Sequence, residues 1–212
     1  MRGLPSGLTV SELKILKKLN SPHKIQDFLD TLEFNFEHSG ETYMSPRRVL
    51  REKKAHCLEG AMLAALALWL AGEKPLLLDL KAPHDIDHVV TLYRRNGLWG
   101  AISKTNHAAL RYRDPIYKTV RELAISYFHE YFINKTGKRT LRQFSKPFNL
   151  QKLGTAWITS EEELWDIPYA LDDIKHFDLF PKETEKFIRK ADKVEIEAGT
   201  VVEWSSKKKR GV

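Results

Sequence analysis

From Ala61 to Ala71 the chain runs through alanine, leucine, methionine and tryptophan without one polar side chain. A helix of that composition has no face to offer water, so the rest of the molecule must surround it. The run is shorter than the ~18 apolar residues that suggest a membrane span, and Gly72 ends it as a helix C-terminus. The chain is therefore expected to wrap around a central helix from about Ala55 to Ala71. The residues just before it carry the chemistry: Arg51-Glu52-Lys53-Lys54-Ala55-His56-Cys57-Leu58-Glu59-Gly60 turns abruptly from charged to apolar at the only cysteine.

A thiol in the first turn of a helix meets unpaired backbone N–H groups and the positive end of the helix dipole. Both favour the thiolate, as do the neighbouring lysines and His56, and the thiolate is the nucleophilic form. The plainer alternative is a small buried core cysteine. Position alone does not separate the two. The residues downstream of the helix do.

Helical spacing is clear at Ser11 to Leu19 and at Lys24 to Phe36, where Ile25, Phe28, Leu29, Leu32 and Phe36 share a face. Pro22 suits an early position of that second helix, and Ser45-Pro46 opens a short capped turn through Arg47-Arg48-Val49-Leu50. After the central helix the pattern changes to extended segments. Leu76 to Leu80 reads as a buried strand and Asp87 to Arg95 as a second. Asn96-Gly97 is a strong hairpin signal, with Leu98 to Lys104 returning. Leu123, Ala124, Tyr127, Phe128 and Tyr131 form an aromatic helical stripe expected in the core. Further on, Ser160 and Glu163 suggest a capping box, Pro168 interrupts the helix that would come next, and Val194 to Trp204 alternates as an edge strand would. Helices first and a strand meander after the central helix predict an α+β fold, with the cysteine helix packed on an antiparallel sheet.

With 212 residues and 42% hydrophobic content the chain can bury a proper core, most simply as one domain over residues 1–204. A lone cysteine excludes an internal disulfide framework, and the first residues lack a signal peptide's apolar centre; both predict a cytoplasmic protein without a membrane partner. The formal charge of +7 is carried in part by Lys207, Lys208, Lys209 and Arg210, in a basic tail at residues 205–212 suited to an acidic partner. Zinc-finger spacing, RNA-binding aromatic signatures and a Gly-rich phosphate loop are all missing, so nucleic acid is a poor candidate and no cofactor is implied.

If Asn96-Gly97 makes a two-residue turn, Arg94 faces Trp99, Val90 faces Ser103 and His88 faces Thr105. Side chains alternate, so His88 and Ser103 share a face as diagonal neighbours, within reach of a polar contact directly or through one water. A cysteine at a helix start, a histidine on an adjacent strand and a polar group on the next is the layout of a Cys–His nucleophilic centre.

This order of residues resembles the transglutaminase-like superfamily, whose members share a papain-like core. Cys57 opening its apolar helix, Asp87-His88-Val89-Val90, the Asn96-Gly97 turn and Trp99 stand where that family has its cysteine helix, histidine strand, glycine turn and tryptophan. Ile25-Gln26-Asp27-Phe28-Leu29 and Ser45-Pro46 are similar to the helical lead-in. The resemblance spans roughly residues 22–117, leaving 118–204 as a C-terminal elaboration. It implies thiol-dependent acyl chemistry on a protein or peptide amide, as a peptidase, amidase or transglutaminase-type transferase. Cys57 would be the nucleophile and His88 the proton relay. The family's aspartate falls at Ser103, so Ser103 or Asn106 would orient His88, with Asp85 or Asp87 as further sources of polarity. His56, Trp99, Arg111 and Arg113 are candidate substrate contacts.

Two alternatives stand beside this. The serine in place of a carboxylate suits a binding module with reduced catalysis. His84, Asp85, Asp87, His88 and His56-Cys57 include metal-ligand types, although a loop and a strand start do not present them at a fixed ligand spacing, so no metal is expected.

Overall fold

The computed structural model describes residues 7–206. Helix α1 (Val10–Lys18) starts from a reciprocal capping box between Thr9 and Glu12, and α2 (Pro22–Asp30) starts with proline in its first turn. The sequence pattern carries α2 on to Phe36, but the helix ends at Asp30. The Leu29 and Leu32 carbonyls are taken by the Lys104 ammonium at 3.0 and 2.6 Å. Glu33–Phe34 becomes strand β1. Helix α3 (Pro46–Glu52) is capped by the Ser45 hydroxyl and closed by Lys53 in the left-handed region, at φ 58°. Strand β2 (Lys54–Ala55) then pairs in parallel with β1. That pairing, with His56 as cap, delays the central helix α4 (Cys57–Leu70) by two residues against expectation. Its residues from Leu58 to Leu68 are all buried.

The main sheet comes next, with β3 (Leu76–Lys81), β4 (His88–Arg95), β5 (Leu98–Ile102) and β6 (Arg113–Tyr117). Asn96 and Gly97 both have positive φ, as the tight hairpin turn requires, and Arg94 pairs with Trp99 and Thr91 with Ile102, the expected register. Alternation divides the core. Leu77, Val89, Tyr93 and Ile102 pack with α4, where the Thr91 hydroxyl donates to the Ala61 carbonyl at 2.6 Å. Leu78, Leu80, Val90, Leu92 and Ala101 pack on the opposite face, under the aromatic stripe of α5 (Val120–Ser126) and the single turn after it.

The remaining elements are β7 (Gln143–Ser145), β8 (Phe148–Asn149), α6 (Asp166–Asp173), β9 (His176–Asp178) and α7 (Lys193–Gly199). The sheet order is β6-β5-β4-β3-β7-β9, with β8 also pairing with β3, and every pairing is antiparallel. This is an α+β fold.

Three expectations fail here. Val194 to Trp204 is not an edge strand, because Asp192 and Glu195 form a capping box that starts α7, and only Val202 keeps a bridge, to His107. Ser160 and Glu163 do not cap a helix; the Glu163 carboxylate instead accepts the Tyr43 N–H and the Arg48 guanidinium. Pro168 sits within the first turn of α6, where a missing N–H costs nothing, and does not break it. No helix among the described residues is long and apolar enough to cross a membrane. The basic run Lys207 to Arg210 lies outside the described residues.

Candidate functional site

Cys57 is the first residue of α4, half-buried, next to the His56 cap and lining one cavity with His88. His56 is the helix cap. Its Nδ1 accepts the Leu58 N–H at 3.2 Å, and its Nε2 donates to the Thr42 carbonyl at 2.7 Å. Glu59, fully buried, closes the capping box by accepting the His56 N–H at 2.9 Å. It also accepts from the Met44 N–H, the Thr42 hydroxyl and the Asn35 amide. The start of the helix is thus fixed from both ends of one turn, and with it the thiol.

His88 opens β4. Its Nε2 lies 2.8 Å from the Ser103 Oγ, and that hydroxyl donates its own proton to the Leu110 carbonyl at 2.6 Å. A serine has only one hydroxyl proton. The Ser103 oxygen must therefore accept from Nε2–H, which leaves Nδ1 of His88 for the thiol. Ser103 is held in turn by Gln26 of α2, whose amide takes both backbone groups of Ser103, at 2.8 and 3.0 Å, as a neighbouring strand would.

Burial pushes the Cys57 thiol up, but hydrogen bonding to His56 and His88 and their positive charge overcome it and hold the thiol well below its ordinary range. Burial likewise pulls His56 down, and the Cys57 thiolate, Glu59 and the Thr42 carbonyl outweigh it, raising the imidazole to about 9. A proton taken up at Nδ1 of His56 must displace the Leu58 N–H. The charge that steadies the thiolate therefore competes with the helix cap.

Cys57 and His88 open into a cavity of about 320 Å³, framed by Phe34, the loop before β4, residues 104–110 and residues 130–134. Of the expected site residues, Cys57, His56, His88 and Ser103 come together. Asn106 borders the cavity but does not orient His88: its amide donates to the Trp204 carbonyl at 3.0 Å and accepts the Trp204 N–H at 2.9 Å, clamping the C-terminal segment. Asp85 and Asp87 accept loop N–H groups, those of Ile86 and Ala82. Trp99 lies at the turn end of the hairpin under the Arg94 guanidinium, far along β5 from Ser103, and does not line the cavity. Arg111 pairs with Glu203, and Arg113 pairs with Glu130 over the Tyr127 ring, so neither is a free cation for a substrate.

Sequence reasoning missed Gln26, Glu59 and Lys104. For Glu59 a signal existed, three residues after the cap in a capping-box position. Gln26 and Lys104 act across 77 and 75 residues of sequence and leave no local pattern. Lys104 packs so closely on α4 that a Cβ at Gly60 would stand 2.5 Å from its own Cβ, which explains the glycine.

Among the described residues no group of three His, Cys, Asp or Glu side chains is arranged to hold a metal ion. No protein-family model matches this chain, and no curated protein matches its sequence.

Proposed function

We propose that this protein performs thiol-dependent acyl chemistry on an amide, in the manner of the transglutaminase-like enzymes its central motifs resemble. The observation that carries the reading is the Cys57 thiol lining one cavity with His88, whose imidazole is oriented through Nε2 by Ser103. The thiolate attacks the amide carbonyl carbon, a C–S bond forms, and the oxyanion is met by the Cys57 N–H in the first turn of α4. The C–N bond then breaks as His88 delivers its proton to the departing amine, leaving a thioester. Water attacking that thioester gives a peptidase or amidase; a second amine gives transfer. Such a thiol suits a reducing compartment.

A binding module is the second reading, favoured by the neutral Ser103 where a carboxylate would better stabilise an imidazolium. Alkylation separates the two. Iodoacetamide labels native Cys57 readily near pH 6 if the dyad is active, and His88→Ala removes most of that labelling with the fold intact. Equal rates in the two proteins exclude the dyad.

A further inference from the structure

We infer that the cavity beside Cys57 takes a bulky apolar side chain, aromatic or branched aliphatic, on the acyl side of the amide. This rests on the thiol-acyl reading and adds the substrate class.

The carrying observation is what remains unpaired in the cavity wall. Its charged side chains and the Asn106 amide are already engaged by the protein. The Lys104 ammonium is bound to the Leu29 and Leu32 carbonyls. Glu130 receives the Arg113 guanidinium on one oxygen and the Leu110 N–H on the other. Both ends of the Asn106 amide are on Trp204. Asp85 accepts the Ile86 N–H and the Thr140 hydroxyl, and Asp87 accepts the Ala82 N–H. A charged ligand group entering here would lose water without gaining these partners.

The apolar wall, although Phe34 packs edge-on against Phe36 and Phe132 lies beside the Arg139 guanidinium, still offers bare surface beside the thiol. Phe34, Leu110, Phe132 and Ile133 face the same space as the thiol, and Ile86 stands at its mouth 82% exposed. At about 320 Å³ the space is at the small end of ligand pockets, which run from roughly 300 to 1,000 Å³. It suits one large side chain with the reacting carbonyl beside it, not a length of polymer.

The test uses the full chain and two chloromethyl ketones, one built on N-acetyl-phenylalanine and one on N-acetyl-glutamine. In each, the Cys57 thiolate displaces chloride to form a thioether. Rates are divided by those with free cysteine, and iodoacetamide serves as a probe too small to need the cavity. The phenylalanine reagent is expected to react at least about tenfold faster than the glutamine reagent. Phe132→Ala, and Ile86→Glu at the exposed mouth where folding is not at risk, should each shrink that ratio severalfold. Equal rates for the two ketones, with brisk iodoacetamide labelling, overturn the apolar pocket and leave the nucleophile standing. A ratio unchanged in both variants places the selectivity elsewhere and also overturns it. Failure of all three reagents near pH 6 overturns the thiol chemistry itself.

Discussion

The two sides of Cys57 are built on opposite plans. On the His56 side every polar atom is engaged within the fold: both imidazole nitrogens are bound, and behind them buried Glu59 gathers donors from the segment after β1, the loop beyond it and the cap. On the His88 side one nitrogen is fixed by Ser103 and the other is left for the thiol, beside open space. A proton can move at His88 without breaking any bond that holds the helix. At His56 it cannot. The contrast assigns holding to one imidazole and proton transfer to the other.

The largest expected effect breaks the comparison if it fails. His88→Ala should lower any amide turnover by roughly 10²–10⁴-fold, the usual worth of a general acid–base group, and take away most of the Cys57 alkylation at pH 6 by raising the thiol pKa. His56→Asn, which keeps an acceptor for the Leu58 N–H but removes one of the two imidazoles that lower the thiol, should lower both by less than His88→Ala does. Rate measurements in which His56→Asn is the more damaging reverse the assignment.

Next comes the buried carboxylate. Glu59→Ala strips an acceptor from two backbone N–H groups and the Asn35 amide, all buried, and from the part-buried Thr42 hydroxyl. Unpaired buried donors of this kind cost about 3 kcal/mol or more in total. Urea denaturation should show that loss. A variant as stable as the parent would mean the His56 side is less tightly built than its hydrogen bonds imply.

Ser103 sharpens the other side. Cys57 lies well below the ordinary thiol range, so alkylation should persist as pH falls past the point where a free thiol stops reacting. Ser103→Asp puts a carboxylate on Nε2, favours the charged imidazole and with it the thiolate, and should carry the alkylation profile to still lower pH. Ser103→Ala should cut the pH 6 rate about tenfold, as loss of one buried hydrogen bond of about 1.4 kcal/mol would. If neither variant moves the pH profile, Ser103 does not act through His88.

The same contrast explains what the sequence discloses. The central helix, the hairpin and its register, and the meeting of His88 with Ser103 all derive from short-range rules: an unbroken apolar run, Asn96-Gly97, and alternation along two strands. The end of α2 and the orientation of Ser103 do not, because Lys104 and Gln26 settle them by reaching across the fold. The C-terminal region is harder still. Val194 to Trp204 alternates like a strand, yet Asp192 and Glu195 cap its first half into a helix, and a two-residue period in an exposed segment is weak against a good cap. Residue choice at Arg111 and Arg113 suggests a basic cleft, but an arginine's sign says nothing of the carboxylate it finds, here Glu203 and Glu130.

The smallest effect concerns that C-terminal segment. Asn106 stands three residues past Ser103 and holds the Trp204 backbone by two hydrogen bonds, while the Glu203 N–H donates to the Asn106 carbonyl at 2.9 Å. Asn106→Ala removes the first two and leaves the third. The expected cost is about 1–2 kcal/mol, a fall in melting temperature of a few degrees for a chain of this size. Amide exchange should quicken at residues 202–204, where the His107–Val202 bridge and the Arg111–Glu203 ion pair remain as anchors. Cys57 alkylation should change less than about threefold, because the clamp passes no hydrogen bond to His88. Should Asn106→Ala silence the thiol as His88→Ala does, the clamp would be part of the proton-relay side after all, and the division drawn between the two faces of Cys57 would have to move to include the chain's last described residues.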